Sequence, residues 1–487
     1  MDSIEALRST LLIGPELALI LTGLIVMVID ALIKGKAKTE LFWIALLGLA
    51  VSFVLNLERF HQVSSAFAGA LSLDEFAAYF NIIFIVGAFL AIVLSKDYIA
   101  KMDLRANEYY ALLLFSTSGM MILSSAKEFM SLFLGFEIMS ISVYILSGFN
   151  RRSTRSSEAG IKYLVLGGFA SAILLYGIAL IYGASGTIFL DEIAKRFDIN
   201  NPLYLAGTAL ILVAFIFKIG AFPLHQWVPD IYEGAPMAVT GFMSVGVKAA
   251  AFAILLRVLF EGFSQLETSW TQVLWIVSVF TMTIGNLAAL TQISIKRMLA
   301  YSSIAHAGYI LVGVVAAYGE KKLGLSSVLY YLFSYTFMNL GAFGVLTYLS
   351  MKGRECETLD DISGLWVKKP LTAVALGIFM LSLAGVPPTI GFFAKYRVFL
   401  SGVRAEFYWL VVIGILNSVL SAYYYLRVLV YAYMREEKVE FPSFKPISAV
   451  ALTILTIGTI ILGIFPFYSW DLALKAVDSF LLALQAK

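Results

Sequence analysis

Charge is scarce in this sequence. Asp, Glu, Lys and Arg together make up 14% of its 487 residues, against about 25% in a soluble domain. Cysteine is scarcer still. Cys356 is the only one, which excludes an iron–sulfur cluster held by this chain alone, since such a cluster needs about four ligands. His61, His225 and His306 are the only histidines. None forms an i, i+4 pair, so no zinc, haem or other metal site is expected. No basic helix or aromatic–basic surface stands out, which argues against nucleic acid as a partner. The opening residues, MDSIEALRST, lack the basic start of a cleaved signal peptide, so the first apolar run is expected to be retained. No phosphate loop, dinucleotide fingerprint or nucleophile elbow occurs in a credible context.

What fills the chain is apolar. Hydrophobic residues make up 60% of it, and the mean hydropathy is +0.87. Runs of about 20 apolar residues, each long enough to span a bilayer, recur from end to end. The pattern predicts an all-α polytopic membrane protein with about fourteen transmembrane helices. They fall near 11–33, 41–57, 76–95, 108–124, 129–149, 159–183, 203–235, 237–260, 271–292, 297–318, 324–350, 371–402, 407–434 and 448–469. Loops after odd-numbered spans carry most of the Lys and Arg, among them Lys34, Lys36, Lys38, Lys96, Lys101, Arg105, Arg151, Arg152, Lys296 and Arg297. These loops are therefore expected in the cytoplasm, and both termini on the other side of the membrane.

The seventh span, LYLAGTALILVAFIFKIGAFPLHQWVPDIYEGAP, is interrupted. Pro223 has no N–H and clashes with the preceding turn, so a helix kinks or breaks there. Irregular backbone at membrane depth persists only inside protein or along a wet cavity. A second break is expected at Val386–Pro387, in the twelfth span. The two belong to a longer self-similarity. Tyr163–Leu164 resembles Tyr331–Leu332, Phe222–Pro223 resembles Val386–Pro387, and Leu256–Arg257–Val258–Leu259 resembles Leu426–Arg427–Val428–Leu429, all about 165–170 residues apart. Each unit holds five spans. Five is odd, so the second copy enters from the opposite side, the inverted repeat of many transporters. The expected organisation is three helices in 1–106, a first repeat in 107–262, a second in 263–436 and a C-terminal transmembrane helix in 437–487.

Four ionisable residues sit well inside spans: Glu137, Lys218, Lys248 and Lys395. Intramembrane charges mark ion or proton pathways more often than not. The bland reading is a structural ion pair, or a lysine capping loose carbonyls at a break. Burial disfavours an ammonium and a nearby carboxylate favours it, so a lysine held between the two can load and release a proton. Glu137 is the expected partner of Lys218, with Lys248 coupled to it. Lys162 is a weaker candidate, as it can equally snorkel to the interface. His225, in the break, could pass protons between Lys218 and Lys248 or simply bond freed backbone. His306 falls near the repeat position of Glu137, where a relay and a helix–helix hydrogen bond are equally plausible. His61 lies in a loop and is assigned no role.

The phrases FKIGAFPLHQWVPDIYEGAP, SVGVKAAAFAILLRV, YSSIAHAGYILVG and LSLAGVPPTIGFFAKYRVF together resemble chain N of the bacterial proton-pumping NADH–quinone oxidoreductases (respiratory complex I) and its mitochondrial counterpart, NADH dehydrogenase subunit 2. The resemblance is strong over spans four to thirteen. Glu137 and Lys218 match the wider group of antiporter-like subunits, while DIYEGAP, SVGVKAAAFA and Lys395 point to the N type. The resemblance implies proton translocation in a bacterial inner membrane and no redox cofactor on this chain, with FMN, iron–sulfur clusters and quinone on other subunits. It also implies a second antiporter-like chain on one side and small membrane subunits on the other. The alternatives are a subunit of a multisubunit cation/proton antiporter or membrane-bound hydrogenase, and a non-conducting scaffold. A carrier for organic solutes fits less well, because the embedded residues offer charges but few organised ligands.

Overall fold

The computed structural model describes residues 3–32, 39–61, 64–104 and 106–485. Lys34, Lys36, Lys38 and Arg105, used above for orientation, and the side chain of His61 lie outside the described residues. The chain opens with α1 (Ser3–Leu12), α2 (Gly14–Leu32) and α3 (Thr39–Glu58). A small antiparallel hairpin, β1 (Ser64–Ala66) and β2 (Leu71–Leu73), leads into α4 (Glu75–Lys101). Next come α5 (Ala106–Ser125), α6 (Phe129–Ser147), α7 (Thr154–Ser185), a short α8 (Leu190–Lys195), α9 (Pro202–Ile219) and α10 (Trp227–Gly234). Then α11 (Met237–Arg257) runs on as a wider turn over Val258–Gly262. They are followed by α12 (Glu267–Leu290), α13 (Ile295–Ala316), α14 (Lys321–Leu349), a one-turn α15 (Leu365–Lys368), α16 (Pro370–Ala384), α17 (Ile390–Arg404) and α18 (Tyr408–Met434). The last two are α19 (Pro446–Ile464) and α20 (Phe467–Gln485).

Twelve helices among the described residues are long and apolar enough to cross a membrane. They divide by burial. α4, α11, α13 and α14 are almost wholly enclosed, whereas α2, α7, α18 and α19 form an outer ring. On that ring Leu164, Val165, Phe169, Val419 and Tyr423 point outward, an apolar exterior that only lipid or another membrane chain tolerates. A helix that is apolar all round belongs in such an interior, and α11 is the example, with Lys248 as its one internal charge.

Both expected breaks are present. α9 ends where Gly220 turns left-handed at φ +72°, and Pro223 contributes no donor before α10 restarts at Trp227. Phe217's loosened carbonyl accepts a hydrogen bond from Trp227 Nε1 at 2.9 Å. In the same way α16 ends at Gly385, φ +89°, and Val386–Pro387–Pro388 precede the restart at Ile390.

Contacts recur at the spacing of the sequence repeat. A Cβ on Gly119 of α5 would lie 2.5 Å from Met139 N of α6, and one on Gly285 of α12 would lie 2.7 Å from Ala305 N of α13. Glycine is what lets these backbones approach so closely. Matching Met139 to Ala305 pairs Glu137 with Ser303, and Ser140 with His306. His306 is therefore not the counterpart of Glu137, as the looser sequence match suggested. The two arginines of the repeat also do the same work. Arg257 of α11 donates to Ser124 O at the end of α5, at 2.6 Å, and Arg427 of α18 donates to Leu290 O at the end of α12, at 3.0 Å, and to Gln292 O.

The end of the chain departs from expectation. The final span, placed at 448–469, stops at Ile464, and a separate amphipathic helix, α20, follows. Its Trp470, Ala473, Ala476, Val477 and Phe480 face inward at helical spacing, while its polar residues lowered the hydropathy that a span search relies on. Phe480 stacks on Phe76 at 4.7 Å, and both rings cover Arg257. Beneath them Arg257 pairs with both oxygens of Asp74 at 2.7 and 2.8 Å and with Glu261 at 2.9 Å. Removing one partner of such a buried pair costs about 3–5 kcal/mol. Arg257→Ala should therefore lower the thermal midpoint and abundance of the protein markedly. Arg427→Ala, which breaks only bonds to carbonyls at a half-buried site, should lower them less. Thermal melts of the two purified variants compare them directly.

Candidate functional site

Lys218 lies in the last turn of α9, just before the first break, and is buried. Its Nζ donates to Ser140 Oγ of α6 at 2.6 Å and sits 4.6 Å from the centre of the Phe136 ring, with Tyr144 and Tyr163 slightly further away. Glu137 is one turn before Ser140. It is half-buried between the outward-facing Leu134 and Ile141, and accepts from Ser171 Oγ of α7 at 2.5 Å. The expected Glu137–Lys218 contact is thus not a direct ion pair: the serine one turn on holds the lysine instead.

Lys248, buried in α11, donates to both the carbonyl and the hydroxyl of Ser303 on α13 and lies 5.2 Å from the centre of the Tyr335 ring. Lys395, buried in α17, donates to Ala384 O and to Ser418 Oγ, each at 2.9 Å, and lies 4.9 Å from the centre of the Tyr309 ring. It faces the interior and also caps the broken end of α16, the structural role open to it from the sequence. Between these two lysines stands His306. Its Nδ1 meets Tyr331 OH at 2.6 Å and its Nε2 meets Tyr425 OH at 3.2 Å. Its ring centre is 5.0 Å from that of Tyr335 and 5.7 Å from that of Tyr309. Lys248, Tyr335, His306, Tyr309 and Lys395 therefore form a continuous polar and aromatic file. Lys218 stands apart from this file, linked to it by the packing of α9 on α11.

The weaker candidates lie elsewhere. Lys162 bonds Glu158 at 2.8 Å and Asp230 at 3.3 Å, and its side chain is 43% exposed. It belongs to a surface ion cluster with Arg297 and Glu233. His225 is half-buried against Phe222, and its Nδ1 has no hydrogen-bond partner. No hydrogen bond joins it to Lys218 or Lys248. Among the described residues no group of three His, Cys, Asp or Glu side chains could hold a metal ion.

Residues 126–421 match the family described as NADH:quinone oxidoreductase/Mrp antiporter, and residues 6–97 match the N-terminal family of NAD(P)H-quinone oxidoreductase subunit 2. The chain is 44% identical over 471 residues to NADH-quinone oxidoreductase subunit N of Trichlorobacter lovleyi, covering 96% of each chain. The chain belongs to the NADH-quinone oxidoreductase subunit N family. A subunit N 1 from Koribacter versatilis is 46% identical over 424 residues, covering 84% of this chain and 83% of that one. Among solved structures, a chain of respiratory complex I from Thermus thermophilus with bound aureothin superposes with a TM-score of 0.81. It is 31% identical and is covered to 99%, against 94% of this chain.

As a subunit N, the chain is a multi-pass membrane component of the H⁺-translocating NADH:quinone oxidoreductase, respiratory complex I. Several residues of its interior carry no signal in the sequence. Ser140, Ser303 and Ser418, which hold the three lysines, carry no charge to mark them. Lys296 is fully buried yet sits beside Arg297 at a span end, so it read as a loop charge. Arg257 was noted only as a marker of the repeat.

The second break offers a direct test of how tightly Lys395 is held. A Cβ on Gly385 would press to 2.9 Å from Lys395 Cδ, in a backbone conformation that costs an L residue about 1–2 kcal/mol. Gly353 has a similar φ of +73° but nothing within 4 Å. Gly385→Ala should therefore lower the melting midpoint of the complex more than Gly353→Ala, which carries the backbone cost alone.

Proposed function

We propose that Glu137, Lys218, Lys248 and Lys395, with His306 between the last two, move protons through this subunit while quinone is reduced elsewhere in the complex. The observation that carries the reading is the way the lysines are held. Each is buried, and each donates to a serine hydroxyl or a backbone carbonyl rather than to a carboxylate. A salt bridge pins a proton on its lysine, whereas a neutral oxygen bonds the ammonium and the free amine alike. Lys162 and His225 stay outside this path.

The same reading extends to topology. With α5 and the α16–α17 pair added to the twelve apolar helices, the chain crosses the membrane fourteen times. Residues 107–262 and 263–436 form two inverted units of five crossings, each with one broken helix. Residues 1–106 precede them, and 437–487 supply the last crossing and α20. The matched glycine contacts and the matched arginine caps support this division. The Lys/Arg-rich loops then face the bacterial cytoplasm, with both termini on the opposite side of the inner membrane. A second antiporter-like subunit packs on one flank and small membrane subunits on the other. FMN, iron–sulfur clusters and quinone reside on other subunits.

Lys218 is the sharpest test. In assembled complex reconstituted into vesicles, Lys218→Ala should lower proton pumping several-fold, and NADH oxidation with it where the two are tightly coupled. Glu137→Gln, which keeps the shape and removes the charge, should resemble it. Lys218→Arg should also impair pumping, because a guanidinium holds its proton at any working pH. Normal pumping by Lys218→Ala would leave this lysine as a structural tie between α9 and α6.

A further inference from the structure

A second buried cluster lies outside the file of lysines. A cavity of about 410 Å³ opens on the Lys/Arg-rich face, between the loop 350–364 and the ends of α7 and α10. Arg155, Glu233, Arg354, Glu355, Glu357 and Asp361 are among the residues that line it. A polar space of that size holds water. Behind its wall Lys296, 1% exposed, donates to Glu355 Oε2 at 2.6 Å and to Ala235 O at the end of α10, also at 2.6 Å, with Glu357 Oε1 at 4.0 Å. Glu355 accepts from Met237 N of α11 at 2.9 Å and from the hydroxyl of Tyr98 of α4. Glu357 reaches out to Arg155 of α7 at 3.6 Å. Two carboxylates at different depths therefore share one ammonium at the floor of a wet vestibule.

We propose that Glu357 is a proton-collecting group, with the Glu355–Lys296 pair as the fixed charges beside it, through which Lys248 is loaded from the Lys/Arg-rich face. The proposal rests on the reading of Lys248 as a proton carrier. The geometry supplies the onward route. Lys296 and Ser303, the partner of Lys248, are on α13 at positions i and i+7, about 10 Å apart along one face. Tyr232 of α10 reaches the Ser303 end of that gap. It is buried one turn before the Ala235 carbonyl that Lys296 caps, and its phenol sits beside Ser303. The two acids also divide the labour. Burial, with Glu355 alongside, raises the pKa of Glu357 against the pull of Lys296. Burial alone would raise Glu355 as well, but the ammonium of Lys296 and the bonds from Tyr98 and Met237 bring it below the usual range. The outer acid is thus the one that takes a proton from water, and the inner one stays anionic beside the lysine.

A purely structural role, stapling the loop to α10 and α13, predicts different behaviour. The test uses assembled complex in vesicles, with NADH oxidation and proton uptake followed from mildly acidic to alkaline pH, for Glu357→Gln, Glu357→Asp, Glu355→Gln and Lys248→Ala. Glu357→Gln should lose pumping several-fold at alkaline pH and recover towards acid pH, where bulk protons are plentiful. Glu357→Asp should restore most of the loss. Wild-type pumping by both Gln variants, beside an impaired Lys248→Ala, would overturn the collecting site and leave the lysine reading intact. So would a loss that does not change with pH. Wild-type pumping by Lys248→Ala would overturn both readings. If Glu355→Gln does not assemble, Glu357→Gln decides the matter, because its side chain is 28% exposed and its loss leaves the Lys296–Glu355 bond in place.

Discussion

An ammonium or guanidinium enclosed by apolar helices must meet oxygen, because the loss of its hydration is otherwise prohibitive. This chain meets that demand in two ways. Arg59 lies on Glu16, Arg257 on Asp74 and Glu261, and Lys296 on Glu355, all at ion-pair distance. Lys218, Lys248 and Lys395 are given hydroxyls and carbonyls instead. The first set holds segments together across long stretches of sequence. The second set leaves its charge uncompensated at close range, so a change of field or of one distant charge acts on it with little screening.

The two breaks are where this distinction becomes architecture. A continuous helix consumes its own carbonyls. Once Gly220 and Gly385 turn left-handed, free carbonyls remain at membrane depth, and the chain must answer them. At the first break Trp227 joins Gly220 N on the Phe217 carbonyl, and Lys218 bonds sideways to α6. At the second Lys395 itself bonds the carbonyl of Ala384. The two breaks thus share a backbone scheme and differ in the residue that completes it.

Much of this was legible in the sequence, because glycine, proline and charge are conspicuous inside apolar runs. The two breaks and the three buried lysines were all visible in that way. Where reasoning from sequence fell short, the signal was of another kind. A serine one turn from a glutamate looks like any small helix residue, so nothing in the sequence marks Ser140 as the group that bonds Lys218, although the charge of Glu137 also reaches that lysine. Lys296 shares its span end with Arg297, and only packing shows that one is buried and the other 32% exposed. α20 alternates Asp471, Lys475 and Asp478 with its inward face, which hides a well-packed helix from any hydropathy average.

His306 has a consequence of its own. A singly protonated imidazole donates from one nitrogen and accepts at the other, and here each nitrogen faces a phenol that can do either. Across the ring of His306 the two bonds of the string Tyr331–His306–Tyr425 therefore point the same way, one phenol donating to the ring and the other accepting from it, with Ser302 beyond Tyr425. A proton handed in at one end and out at the other reverses every bond without moving a heavy atom. The string then cannot carry a second proton in the same direction until its hydroxyls rotate and the ring proton changes nitrogen.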